Sequence, residues 1–149
     1  MNSIVEHKQH SISKQKIQAF EDALLQMPQI DIETKHYIAD GVYVREITIP
    51  KGATVTGAVH LTETIDILVS GDITIVYDDV RKRLTGHGVY TSKPGVKKVA
   101  YAHEDTVWMT VHAVDNIKDK TMDEIEKDLW VDSYNEYALL KGDETWLLS

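Results

Sequence analysis

Cysteine is absent from the 149-residue chain, which excludes a disulfide framework, thiolate zinc sites and a cysteine nucleophile. Any metal must then sit on His, Asp, Glu, carbonyl or water ligands. Long apolar runs are missing too. No segment approaches the ~20 apolar residues of a membrane span, and residues 1–8 lack a basic start followed by an apolar stretch. Neither secretion nor membrane insertion is expected, and a cytoplasmic location is. Basic charge is short: 16 Lys and Arg against 24 Asp and Glu leave a net charge of −8, which repels a phosphate backbone and argues against nucleic acid as a partner. The two basic clusters, Arg81-Lys82-Arg83 and Lys97-Lys98, read as solvated hairpin faces, with a local site for a phosphorylated small molecule as the alternative. Phosphate loops of the GxGxxG or GxxxxGK[ST] type, a GxSxG elbow and HExxH do not occur.

What is present is a long run of period-two alternation. Residues 30–32, 42–49, 65–69, 73–77 and 106–112 are rich in β-branched and aromatic side chains. Turn signals separate them at Asp40-Gly41, Pro50-Lys51-Gly52, Ser70-Gly71-Asp72, Asp78-Asp79, Gly86-His87-Gly88 and Lys93-Pro94-Gly95. Turns this evenly spaced predict an antiparallel sandwich or closed barrel over residues 30–113 rather than alternating βαβ units.

Helical patterns flank the barrel. Ile17, Phe20, Leu24 and Met27 form one apolar stripe over residues 13–27, with Ser11 or Ser13 as cap and Pro28 after the end. Residues 1–10 are polar and expected to be disordered. Thr121-Met122-Asp123-Glu124 has capping-box spacing and opens a predicted helix over 122–139. Trp130, Tyr134 and Tyr137 on that helix, with Trp146 and Leu147 beyond it, make an aromatic surface suited to covering a core or a subunit contact. The whole reads as one domain, 1–149, without internal repeats.

The glycine-bounded stretch from Gly52 to Gly71 and the run from Gly88 through Pro94 resemble the two short motifs of the cupin superfamily. His60 falls on the second histidine of the first motif. Ala58 stands at the first histidine, Thr64 at the glutamate with Glu63 one residue early, and Val96 and Val99 at the glycine and histidine of the second. The resemblance implies an all-β, cupin-type double-stranded β-helix, or jelly-roll barrel, with a pocket. Over 40–75 and 92–113, and on through the helical tail, the chain is similar to small cupin-like proteins of tailed bacteriophages and prophages. That implies a phage-derived protein in a bacterial host cytoplasm, without supplying a reaction. Such barrels leave edge strands that dimerisation covers, so a homo-oligomer, most simply a dimer, is expected.

A cysteine-free metal site needs three or four N/O ligands from different strands. The best available set is His60, Glu63, His103 and His112, holding a divalent transition metal such as Zn, Fe, Mn or Ni. Trp108 and Thr110 share the strand face of His112 and are candidate ligand contacts. In the enzymatic version the metal serves as Lewis acid or activates water, and Glu63 or Asp66 moves protons. His103-Glu104-Asp105 equally suits a polar turn, His36 and Tyr37 a pocket rim, and His7, His10 and His87 exposed positions. Three functions compete: a phage accessory protein binding a small molecule or divalent metal in the barrel mouth, a metal-free module sequestering a host small molecule or nucleotide signal, and a structural or partner-binding phage protein.

Overall fold

A computed structural model describes residues 2–142, with side chains from residue 13 onward. Two antiparallel sheets face each other. The first comprises β1 (Glu33–Ala39), β2 (Val42–Ile49), β5 (Thr64–Ser70), β8 (Gly88–Ser92) and β10 (Thr106–Ala113), in the order β1-β2-β10-β5-β8. The second comprises β3 (Thr54–Thr56), β6 (Asp72–Tyr77), β7 (Val80–Thr85) and β9 (Val99–Ala102), in the order β3-β9-β6-β7. Neighbours distant in sequence, such as β10 between β2 and β5, make this a jelly roll rather than a meander. The expected all-β barrel is present, with strand limits close to the alternation at β2, β5, β6 and β10. Residues 30–32, expected as a strand, instead lead into β1.

Alternation supplies the core directly. Ile49, Leu68, Ile73, Ile75, Ala102 and Trp108 point between the sheets and form one buried cluster. A Gly71 φ of +126°, with an added Cβ only 2.7 Å from Thr106 Cα and 2.8 Å from the Asp105 carbonyl oxygen, explains why the β5–β6 corner requires glycine. There the Thr106 hydroxyl donates to the Glu104 carbonyl and accepts from the Asp72 amide.

The flanking helices depart from expectation. α1 spans Asn2–Leu25, taking in residues 2–10, for which disorder was expected; no Gly or Pro interrupts the segment. Its apolar stripe does not set the docking face: Ile17 is buried, but Phe20 and Met27 are 44% and 60% exposed. α1 docks instead through a polar row. Lys14, 1% exposed, places Nζ 3.0 Å from Asp78 Oδ1 on the β6–β7 turn, Ser13 bonds Asp79, and Glu21 meets Lys97 Nζ at 2.9 Å. Lys97 is also 1% exposed and donates to the Asp132 carbonyl at 2.7 Å. The reading of Lys97-Lys98 as a solvated face is thus corrected, because burial of Lys97 is compensated by a carboxylate and a carbonyl.

The expected single helix over 122–139 is two. α2 (Met122–Leu129) starts at the predicted capping box, with Thr121 accepting from the Glu124 amide. It ends as Trp130–Val131 pair, as β11, with β4 (Val59–His60). α3 (Tyr134–Lys141) begins at Ser133, whose hydroxyl accepts from the Glu136 amide. Tyr134 and Tyr137 are buried with Ile17 and Val59, so they hold the helices to the barrel and are not a subunit contact. Trp146 and Leu147 lie outside the described residues.

Glu21→Ala leaves the Lys97 ammonium buried against one carbonyl. It should cost about 3 kcal/mol of unfolding free energy, whereas Glu21→Leu combined with Lys97→Met should recover most of that loss. Urea unfolding of the three proteins measures both.

Candidate functional site

Alternation on the first sheet stacks side chains into layers across four strands. Thr110 lies opposite both Arg45 and Asp66, and Asp66 lies opposite Tyr90, making one polar row across β2, β10, β5 and β8. One pleat deeper, Trp108 lies opposite Ile47 and Leu68, an apolar row. From the second sheet Lys98, Ala100 and Ala102 share the inward face leading through β9. Between the sheets is a cavity of about 100 Å³, with Ile47, Ile49, Ile73, Ile75 and Trp108 around its interior. Arg45, His60, Asp66, Lys98, His112 and Trp130 complete its polar side.

The break between α2 and α3 positions part of this wall. Trp130 pairs in register with His60, and the Leu61 amide donates to the Leu129 carbonyl at 2.8 Å. The His60 and His112 rings meet edge-on with centroids 5.3 Å apart, and His112 lies 5.7 Å from Trp130. Tyr43 stacks on the other side of His112 at 5.5 Å, its hydroxyl 2.6 Å from His36 Nδ1. The Arg45 guanidinium sits 5.7 Å from the Trp130 ring centroid, a cation–π distance. It makes no ion pair or hydrogen bond among the described residues.

Electrostatics fix the charge states. Asp66, 2% exposed, receives Lys98 Nζ at 2.9 Å, and the same ammonium bonds Ser92. Burial, reinforced by Lys98, His112 and Arg45 and opposed by Asp66, pushes the His60 imidazole down to about 4 from 6.5. Burial likewise brings His112 down to about 4, Asp66 opposing and Arg45 assisting. Both imidazoles are therefore neutral at pH 7. Arg45 and Lys98 against the one carboxylate lining the cavity, Asp66, leave a single net positive charge. His112 is 1% exposed and its Nδ1 has no hydrogen-bond partner among the described residues.

Of the residues chosen from sequence, His60, His112, Trp108 and Thr110 come together around the cavity. Glu63 is exposed beyond β4. His103 lies outside the cavity, its Nε2 2.7 Å from the Thr74 hydroxyl and its ring edge-on to Tyr101. Asp66 points inward. Arg45, Lys98 and Trp130 were missed, although Arg45 could have been found: it shares its parity with Tyr43, Ile47 and Ile49, a lone cation on an apolar strand face. Ala58, at the position of the first motif histidine, also lines the cavity, whereas Thr64 and Val99 do not.

These residues do not fit a metal centre. Among the described residues no group of three or more His, Cys, Asp or Glu could hold a metal ion. The lining carboxylate is already bound to an ammonium, and two cations face the same space.

No family model and no curated protein matches the chain. Solved structures do. A double-stranded β-helix protein of Klebsiella pneumoniae matches with TM-score 0.51 and 17% identity, covering 60% of this chain and 84% of that one. KdgF from a Halomonas species matches with TM-score 0.51 and 13% identity, covering 62% and 91%. A cupin superfamily protein of Desulfitobacterium hafniense matches with TM-score 0.50 and 14% identity, covering 62% and 86%. At these identities the likeness is one of fold. The chain has the cupin double-stranded β-helix, with helices added at both ends.

Two predictions follow from this geometry. Ala58→His adds a third imidazole to the cavity wall beside His60 and His112, so the variant should take up zinc more strongly than the parent, as read by elemental analysis after dialysis. The imidazole pair, protonated near 6.5 when unfolded but near 4 when folded, contributes stability fully present above pH 6.5 and lost as pH falls toward 4. The thermal midpoint should drop across that window, and the drop should shrink in His60→Asn.

Proposed function

We propose that the chain is a small-molecule-binding protein whose barrel cavity takes an organic anion directly, without a metal. The observation that carries this reading is the Arg45 guanidinium at the rim, with no ion-pair partner among the described residues. It faces a cavity whose two histidines are neutral and whose Lys98 is already matched by Asp66. A carboxylate entering beside Trp130 gains a bidentate partner in Arg45. The half-buried Lys98 ammonium adds to the attraction in a space of reduced dielectric.

Size selects among the functional classes. A cavity of about 100 Å³ is well below the ~300–1,000 Å³ of sites that engulf drug-sized ligands, so it disfavours the nucleotide signal and favours a small metabolite. In the phage-encoded setting that the sequence resemblance implies, such a protein would withdraw or carry that metabolite in the host.

Protein purified without chelator should contain no stoichiometric transition metal, and EDTA should leave its melting temperature unchanged. A panel of small carboxylates should raise that temperature; a ligand at 100 times its Kd adds about 2.7 kcal/mol of stability. Arg45→Gln, at an exposed position, should fold normally and lose at least tenfold in affinity. Stoichiometric metal that disappears in His60→Ala would falsify the reading.

A further inference from the structure

The layering of the cavity narrows the ligand further. Resting on the anion reading above, we infer that the occupant is a short aliphatic monocarboxylate whose carboxylate sits at Arg45 and Lys98 and whose hydrocarbon tail points into the barrel.

The argument starts from the order of inward residues along two paired strands. On β2 they run Tyr43, Arg45, Ile47, Ile49, and on β10 His112, Thr110, Trp108, Thr106, held in register by the pairs His112 with Tyr43, Thr110 with Arg45 and Trp108 with Ile47. Two residues along a strand advance about 6.6 Å. The distance from the guanidinium layer to the isoleucine layer is therefore one pleat, about the reach of a few carbon–carbon bonds. Across the cavity, Lys98 gives way to Ala100 at the same step, and Ala100 pairs with Ile75 and Val55. Both sheets thus change from cationic to apolar within one pleat. Below that depth the cavity lining is hydrocarbon and indole, from Ile47, Ile49, Ile73, Ile75 and Trp108, and a polar tail there would lose its water without gaining a partner.

Charge count excludes the dianions. With His60 and His112 neutral, Arg45 and Lys98 against Asp66 leave one positive charge to be met, and a second carboxylate or a doubly charged phosphate would enter uncompensated. Volume limits the tail. An apolar cavity of about 150 Å³ is known to hold benzene, so about 100 Å³ accommodates roughly three to five carbons beyond the carboxylate.

The test is isothermal titration calorimetry at pH 7 on the full chain. The probes are the straight-chain series from acetate to octanoate, together with succinate and inorganic phosphate. Affinity should rise about fourfold per methylene to an optimum near pentanoate and fall by octanoate, with succinate and phosphate at least tenfold weaker than pentanoate. Arg45→Gln should weaken the whole series by a similar factor, and Ala100→Leu should move the optimum to a shorter chain. Ala100→Leu narrows a packed region, so Arg45→Gln at the exposed rim keeps the test usable if that variant does not fold. Succinate or phosphate binding as tightly as pentanoate, or an affinity independent of chain length, overturns this inference and leaves the anion reading standing. Failure of every anion to bind, or binding indifferent to Arg45→Gln, overturns both.

Discussion

Two consecutive lysines that face opposite ways organise this molecule. Lys97 turns outward from the barrel wall into the seam beneath the N-terminal helix, where Glu21 and the Asp132 carbonyl receive it. Lys98 turns inward to Asp66 and Ser92. An extended chain sends neighbouring side chains to opposite faces, so one short segment ties the flanking helices to the barrel and sets the charge of the cavity within. Each ammonium is costly to bury alone and is matched by a carboxylate. Those two matches help to hold the N-terminal helix on the barrel and leave the cavity's carboxylate already engaged.

The cupin-type fold is present here without most of the histidines and the glutamate of the motifs that the sequence resembles. The glycines at 52 and 71 and the proline at 94 stand at the turns that the cupin motifs require, and the fold matches solved cupin structures. His60 still lines the cavity, but Ala58 beside it brings no ligand atom. Into the remaining space the strands project Arg45 and Lys98. Burial, more than the neighbouring cations, makes the two imidazoles poor proton acceptors.

The barrel was legible because period-two alternation and glycine turns are local signals. His112, Trp108 and Thr110 were assigned to one face by that alternation alone, and the structure brings all three to the cavity. The choice between cavity and solvent for that face was not legible, since a face carrying Trp, Thr and His suits either. His103 stands in the turn before β10, as one of its two readings had it, while its contact with Thr74, distant in sequence, was not legible. Lys98 was missed for a similar reason: Asp66 is its counterion, and only folding brings the two together. The C-terminal helix was overextended because Leu129-Trp130-Val131 suits helix and strand alike. Ser133-Tyr134-Asn135-Glu136 nevertheless carried a second capping signal that would have divided it.

That division has a consequence for the limits of the protein. The two larger sheets and their isoleucine core are complete by Ala113. One wall of the cavity is not, because the Trp130 indole arrives on a two-residue strand after α2 and is seated against His60 by Val131 and the Leu129 carbonyl. The C-terminal helices also complete the core, since Tyr43 is buried with Ile125 and Leu129 and Val59 with Tyr134. Any event that pulls on the C-terminal helices, whether a fused partner, a protease or a bound protein, therefore acts on the cavity wall at Trp130 as well as on the barrel residues buried beneath them.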